Sequence, residues 1–213
     1  EAICKPYPVR FIQQKFEGHI QQKNSAIDAA KYDKIISLDA DEALSKELQS
    51  AILRLKDNWK KDGYFAKRFN NYCGQWIYHS DWYPDRKLRV FDRNKARWGG
   101  INPHDTIQMQ PGSKTGKLNG SILHWVHTSY EEHSLKVHKF SSIAAREYYK
   151  LGRKSGIFDI LVKPTWTFFK AYVLRLGFLD GFNGLIICTF SAYTTFLKYL
   201  KLKQLIKNNP NHS

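Results

Sequence analysis

Two aspartates spaced two residues apart give the strongest chemical signal in the sequence. Asp39 and Asp41 lie in the run Asp39-Ala40-Asp41-Glu42, directly after the apolar segment 34–38. Carboxylates at this spacing beyond a strand end can converge on one hard cation, with water and phosphate oxygens completing the shell of Mg²⁺ or Mn²⁺. The same residues can also form an acidic turn that caps the next helix. On this motif alone, both interpretations stay open.

The segments around the motif predict an α/β arrangement. Residues 19–31 have helical spacing and no breaker, and residues 34–38 form an apolar, β-branched run that predicts a buried strand of a parallel sheet. Ser45 is a predicted N-cap, because apolar residues then recur every three to four positions up to residue 57. Ligands of open α/β sheets bind at the carboxyl ends of strands, where this order places the two aspartates.

The middle of the chain has the composition of strands, and the last third that of helices. Aromatic-rich segments bounded by turn residues predict strands at 64–69, 72–78, 86–91 and 121–125. Ser129 and Glu132 have the spacing of a capping box that opens a helix to about residue 149. A Gly/Lys-rich break at 151–156 then divides the chain. We therefore predict one domain over residues 1–150 and a separate tail over residues 151–213.

The segment QQKNSAIDAAKYDKIISLDADEALSKEL, residues 21–48, resembles glycosyltransferase family 2 enzymes of the lipopolysaccharide-core type. Their pattern has a QKN-x-A helix followed by an apolar strand that ends in LDADE. Residues 83–93, 98–105 and 168–185 resemble later elements of the same family, in the same order. The family begins with strands that cradle the nucleotide base, and no match to them precedes Glu1. From the resemblance we expect a chain that lacks this N-terminal part, which leaves an inactive chain as an alternative to an active enzyme.

The resemblance implies a GT-A fold, incomplete at the N-terminus, and an inverting sugar transfer from a nucleotide-diphosphate donor. Asp39 and Asp41 would hold Mg²⁺ or Mn²⁺ on the donor diphosphate, and Lys23 would lie on the nucleotide side. Asp105 aligns with the acidic residue that follows a histidine in the family, and we predict it as the base that takes the acceptor's proton. His124, near a strand end, is a further candidate metal ligand.

A second group of residues is predicted to form the acceptor site. Aromatic faces and the bidentate guanidinium group suit sugars and phosphates. Four residues of the segment that resembles the acceptor-side strand have this chemistry: Trp82, Tyr83, Asp85 and Arg89. Trp82 and Tyr83 can equally be core residues.

The charge of the chain is concentrated in its tail. The net charge is +15, and residues 136–213 carry 13 basic against 3 acidic side chains. From about residue 163 to 203 the basic residues alternate with large apolar ones, and the longest uncharged run is 17 residues, from Gly181 to Leu197. We predict two amphipathic helices, broken near residues 180–181, on an anionic membrane surface. A spanning helix and packing against a partner subunit remain alternatives.

The prediction for the whole protein is a metal-dependent hexosyltransferase that acts on a lipid-linked glycan such as lipopolysaccharide core. It would be peripheral on the cytoplasmic face of a bacterial inner membrane. Its three cysteines exclude a disulfide scaffold. The alternatives are a catalytically inactive membrane scaffold, a metal-dependent phosphohydrolase and a basic nucleic-acid-binding protein. No nucleic-acid-binding motif supports the last, and the aromatics lie in apolar runs instead of spaced stacking positions.

Overall fold

The computed structural model describes residues 2–101 and 104–209 of the chain. Its first half contains α1 (His19–Ala29), β1 (Lys34–Ile36), β2 (Glu42–Leu44), α2 (Lys46–Lys56), β3 (Gly63–Tyr72), β4 (Gln75–Trp76) and β5 (Asp85–Asp92). Its second half contains β6 (Ala96–Ile101), β7 (His104–Met109), β8 (Thr115–His127), α3 (Tyr130–Lys150), α4 (Ile157–Phe169) and α5 (Gly181–Asn208). The predicted α/β class is confirmed.

Six strands from the first 127 residues form one mixed sheet. Its strand order is β1-β5-β3-β8-β2, with β4 paired to β3. Strands β3 and β8 run parallel, and the other pairings in the described part of the sheet are antiparallel. Helix α2 covers one face, where Leu48, Ala66 and Ile122 form a buried cluster.

The prediction of a buried parallel strand at residues 34–38 is wrong. Strand β1 is shorter, pairs antiparallel with β5, and lies at the edge of the described sheet. The side chain of Ile36 is 44% exposed. An apolar β-branched run favours a strand, but its pairing depends on the distant residues 90–92. The acidic turn also leads into the short strand β2 before the helix begins, which the sequence pattern did not indicate.

The helix after the acidic turn begins where predicted, and a glycine allows it to lie against the sheet. The Ser45 side chain accepts a hydrogen bond from the Leu48 backbone and a second from Ser121 N of β8. Gly120 adopts φ +94°, and a Cβ atom there would lie 2.3 Å from Leu48 N. Because any larger residue would push α2 away, Gly120 fixes the helix that follows the acidic turn.

Strands β6 and β7 form a hairpin that the sequence analysis did not predict. The hairpin packs against α1 through a cluster of Ile27, Phe91, Ala96 and Trp98. Asn24 of α1 clamps it, since its side-chain amide donates to Trp98 O at 2.9 Å and accepts from Trp98 N at 3.0 Å. The hairpin places Asp105 of β7 close to α1.

The C-terminal part is helical, with the predicted cap and break. Ser129 accepts from Glu132 N at the start of α3, and the chain is non-helical from residue 153 to 156. Helix α4 packs along α5 through Ile160, Tyr199 and Leu202. A π-helical turn (Lys170–Leu174) and a 3-10 turn (Gly177–Asp180) separate the two helices, close to the predicted break.

Within the described residues, no single helix is long and apolar enough to cross a membrane. The pair Ile157–Leu174 and Gly177–Asn208, bent by 72° at its break, meets that test by length and composition when taken together.

Candidate active site

Lys23 joins two of the predicted site residues. Its Nζ lies 3.0 Å from Asp39 Oδ1 and 2.9 Å from Asp105 Oδ2, above the ring of Trp98 at 4.1 Å from the ring centroid. Helix α1, the acidic turn and strand β7 therefore meet at one ammonium group. Burial raises the pKa of Asp105, but the hydrogen bond and charge of Lys23 outweigh it and hold that pKa below its usual value. Asp105 is thus a carboxylate at neutral pH.

Arg89 lies beneath the acidic turn. Its side chain is 6% exposed, and its Nη2 lies 3.1 Å from both Asp39 Oδ2 and Glu42 Oε1. It was predicted as an acceptor residue, and the structure places it against Asp39 and Glu42, with its guanidinium group 5.0 Å from the ring centroid of Trp98. Asp39 is consequently shared between two cations, Lys23 and Arg89.

Asp85, the second charged residue predicted for the acceptor site, lies in an ion-pair cluster. Arg68 donates to Asp85 Oδ2 at 2.8 Å, and Lys87 Nζ lies 3.2 Å from Asp85 Oδ1. Arg68 also approaches Glu42 at 3.6 Å. Asp85 is therefore linked through Arg68 to the same acidic turn.

Asp41 does not share the partners of Asp39. Its Oδ2 lies 3.4 Å from His124 Nε2, and its side chain is 49% exposed. The other imidazole nitrogen, Nδ1, contacts Asn70 Oδ1 at 2.8 Å. Burial lowers the pKa of His124, and the charge of Arg68 lowers it further. The imidazole is therefore neutral at pH 7, the form that binds metals.

These residues fit a divalent ion in part. Within the described ranges, no three His, Cys, Asp or Glu side chains converge as a preformed metal site. Asp41 and His124 can supply one oxygen and one nitrogen ligand from adjacent positions, with the remaining ligands from phosphate and water. Asp39 is held by its two cationic partners instead.

The two predicted aromatic residues have different surroundings. Trp82 packs against the buried cluster of Tyr72, Ile77 and Ile187, and its carbonyl accepts from Asn70. Tyr83 instead lies near Phe69, with ring centroids 5.8 Å apart. The side chain of His104, which precedes Asp105, lies outside the described residues.

Residues 1–114 match the family model described as glycosyl transferase family 2. The match covers more than half of the chain and contains Lys23, Asp39, Asp41 and Asp105. The chain belongs to this family. The mixed α/β sheet is consistent with the GT-A-type domain of family 2, as predicted. Membership implies a nucleotide-sugar donor and a glycan acceptor.

Curated relatives match nearly the whole chain at modest identity. An uncharacterized glycosyltransferase of Rickettsia felis is 27% identical over 99% of this chain and 78% of its own length. The uncharacterized glycosyltransferase RP128 of Rickettsia prowazekii is 29% identical over 98% and 75%. The lipopolysaccharide core biosynthesis glycosyltransferase LpsC of Rhizobium meliloti is 26% identical over 96% and 77%.

A cleft of about 410 Å³ leads along α1 and β1 to this family 2 site. Its lining includes Gln22, Lys23, Ile36 and Asp39. Gln22 Oε1 is buried and has no hydrogen-bond partner among the described residues. The cleft therefore ends at the charged residues Lys23 and Asp39.

The sequence analysis missed several members of the site. Glu42, Arg68 and Asn70 hold Arg89, Asp85 and His124, respectively. The LDADE pattern includes Glu42, but the buried ion pair of Glu42 with Arg89 depends on the sheet. Arg68 and Asn70 are two residues apart and lie on the same face of β3. Only the parallel register with β8 brings Asn70 opposite His124.

Proposed function

We propose that this protein is an inverting glycosyltransferase that moves a sugar from a nucleotide-diphosphate donor to a lipid-linked cell-surface glycan. The observation that carries the proposal is the position of Lys23 between Asp39 of the acidic turn and Asp105 of β7. The ammonium group of Lys23 therefore bridges the carboxylate proposed for the donor side and the carboxylate proposed as the base.

The donor would bind along the cleft beside α1. The nucleoside would lie in the cleft, and the diphosphate would extend towards Lys23. A diphosphate carries more negative charge than either carboxylate, so it competes for the Lys23 ammonium group. Binding of the donor would therefore draw Lys23 away from Asp105.

Asp41 and His124 would hold the divalent ion, as the donor set and the neutral imidazole allow. Such an ion offsets the charge that develops on the leaving nucleoside diphosphate. Asp39 and Arg89 keep the turn that carries Asp41 in place.

Asp105 would act as the general base. An acceptor hydroxyl oxygen attacks the anomeric carbon of the donor, and Asp105 takes its proton as the new C–O bond forms. The bond between the anomeric carbon and the diphosphate oxygen breaks on the opposite side, so the configuration inverts. The loss of Lys23 to the diphosphate raises the basicity of Asp105 at the step that uses it.

The lipid-linked acceptor is supported by the surface of the C-terminal helices. Large apolar side chains are exposed along α4 and around the break before α5: Ile157, Phe158, Leu161, Val162, Trp166, Phe169, Leu176, Phe178, Leu179 and Phe182. A patch of this size marks an interaction surface. We assign it to the cytoplasmic face of a bacterial inner membrane, where a lipid-linked glycan would present its sugar.

Several cations that we expected at the lipid headgroups are bound within the protein. Lys170 and Arg175 lie near Asp81, and Lys201 donates to Ser141, Ser142 and the carbonyl of His138. Lys198 lies over the rings of Tyr148 and Tyr199. Asp81 offsets part of the charge of Lys170 and Arg175, whereas Lys198 and Lys201 keep theirs. Charge and apolar burial would therefore both contribute to the proposed membrane contact.

The test is transfer from a panel of uridine-, guanosine-, cytidine- and adenosine-diphosphate sugars to rough-type lipopolysaccharide in vesicles. We expect one donor to yield a glycosylated product whose new linkage, by NMR, has the anomeric configuration opposite to that of the donor. Retained configuration would contradict the role of Asp105, and absence of transfer from every donor would contradict the function.

A further inference from the structure

Five aromatic side chains form a continuous surface on the sheet beside the acidic turn. This aromatic platform consists of Phe69, Trp76, Tyr78, Tyr83 and Trp125. Phe69 stacks on Trp76 with centroids 5.0 Å apart, and Trp76 contacts Trp125 at 5.7 Å. Tyr78 and Tyr83 lie 4.7 and 5.8 Å from Phe69.

The sheet register explains why these rings share a face. Asn71 pairs with Trp76 of β4 and with Trp125 of β8, and Phe69 lies two residues before Asn71 on the same face. His124 precedes Trp125 and therefore points to the opposite face. The platform is thus separate from the ion pairs of the donor side.

Asp41 connects the platform to the site. Its backbone carbonyl accepts from Trp125 N at 3.0 Å, while its carboxylate faces His124. The strand residue that carries the Trp125 ring is therefore hydrogen-bonded directly to the acidic turn.

Two rings of the platform are exposed, and the other three, Phe69, Trp76 and Tyr83, are half-buried beneath them. Trp125 is 44% and Tyr78 is 56% exposed. The loop that carries Tyr78 is fixed from the tail, since Asp180 accepts from the backbone of Tyr78 and of His79 at 3.0 and 2.8 Å. Asp180 also binds His79 Nδ1 at 3.1 Å, so the side chain of His79 and the loop are both held by the tail.

We propose that the aromatic platform binds a sugar ring of the acceptor glycan, one residue or more away from the sugar that reacts. The C–H face of a pyranose packs on aromatic faces, and Trp125 and Tyr78 are the two rings with exposed surface for it. This inference rests on the proposed function for the identity of the glycan, but it assigns a binding surface that the reaction itself does not require.

The first experiment measures binding of lipid-free core oligosaccharide, released from rough lipopolysaccharide by mild acid, by ligand-observed NMR titration. We expect about a tenfold loss of affinity for Trp125→Ala, the size set by the apolar surface of one sugar face. Trp125→Phe should retain most of the affinity. The matched control is Trp166→Ala, because Trp166 is 56% exposed on α4 and lies outside the platform. It should bind as the wild type does.

The second experiment compares the same variants for vesicle binding and for mass by light scattering. Trp125→Ala should leave both unchanged. A loss of vesicle binding equal to that of Trp166→Ala would make the platform a membrane contact, and a change from dimer to monomer would make it an interface between copies. Either result overturns the proposal, as does wild-type affinity in Trp125→Ala or an absence of binding by the wild type.

The proposed function fails independently of this surface. If the wild type binds the oligosaccharide through Trp125 but transfers no sugar from any donor, the platform stands and the transferase reaction does not. If transfer proceeds and Trp125→Ala changes neither the affinity nor the KM for the acceptor, the binding role of the platform is contradicted and the proposed reaction is not.

Discussion

Lys23 Nζ lies 2.9 Å from Asp105 Oδ2, across 82 residues of sequence. The contact joins the helix of the QKN motif to the hairpin that carries the candidate base. It holds the pKa of Asp105 below the usual range, although burial alone would raise it. The pair therefore connects occupation of the donor site to the basicity of the residue that would act on the acceptor.

Replacement of Lys23 tests this connection. Lys23→Met should raise the KM for the donor, because an ammonium group facing the diphosphate is lost. It should also shift the acidic limb of the pH–rate profile upwards, because Asp105 loses the charge that lowers its pKa. Steady-state kinetics between about pH 3.5 and 8 measure both, since the limb of the wild type is expected below the ordinary pKa of a carboxyl group. Lys56→Met, at the exposed end of α2 and outside the cleft, is the control and should change neither. An unchanged pH–rate profile in Lys23→Met would show that protonation of Asp105 does not control the rate.

Replacement of Asp41 tests the proposed metal ligands. Asp41→Asn removes the carboxylate that faces His124 and should weaken Mn²⁺ binding about 10- to 100-fold or more, in the presence of a nucleoside diphosphate. Water proton relaxation enhancement by Mn²⁺ measures this without turnover. The control is Asp28→Asn, whose carboxylate is exposed and pairs with Arg97. Wild-type relaxation in Asp41→Asn would exclude this residue as a ligand.

The pH dependence of stability should reflect two buried histidines. His127 and His133 stack with ring centroids 4.2 Å apart, each 7% exposed. Burial lowers their pKa values to about 4 and about 3, respectively. Both are neutral when folded, so the unfolded chain binds more protons below pH 6.5, and stability present above that pH is lost as the pH falls.

The free energy of unfolding should decrease by about 1.4 kcal/mol per pH unit for each histidine below about pH 6.5. Urea unfolding at pH 7.5 and 5.0 measures the slope. The window excludes Glu132, whose pKa of about 2 is lowered mainly by Lys136 and whose contribution is lost only below its ordinary value of 4.5. His133→Gln should reduce the slope, and the exposed His138→Gln should not. A slope unaffected by His133→Gln would contradict the assignment.

Membrane binding by the C-terminal helices should depend on apolar contact. Leu161→Glu combined with Trp166→Glu places two charges on the exposed face of α4 and should greatly reduce sedimentation with phosphatidylglycerol/phosphatidylethanolamine vesicles. Leu53→Glu, at an exposed leucine of α2, is the control. Salt should weaken the binding without abolishing it, because the contact of the apolar side chains is not screened. Complete release of the wild type by salt would contradict the apolar account.

Local signals predicted the parts of the fold that depend on neighbouring residues. The Ser45 and Ser129 caps and the helix near residues 19–31 follow from spacing within one or two turns. The chemistry of Asp39, Asp41, Asp105 and His124 could likewise be proposed from the family motifs. Their division into a Lys23 group and a separate His124 group could not, because it depends on the hairpin β6–β7 and on the register of β8.

The edge position of β1 shows the same limit. An apolar run at residues 34–38 indicates a strand but contains no information on its partner, and residues 90–92 decide that it is antiparallel. The lysines of the C-terminal helices show the same limit for the prediction of charged surfaces. Alternation of basic and apolar residues predicted cations at a surface, while pairing across elements places Lys170 against Asp81 and Lys201 against α3.

The turnover of Asp105→Asn tests the central claim most directly. The substitution preserves volume and removes the ability to take the acceptor's proton. We predict that kcat for sugar transfer falls about 10²- to 10⁴-fold, the usual contribution of a general base, while the Kd for the donor, measured by calorimetry, changes little. A kcat near that of the wild type, or a loss of donor affinity as large as the loss of turnover, would contradict the assignment of Asp105 as the base.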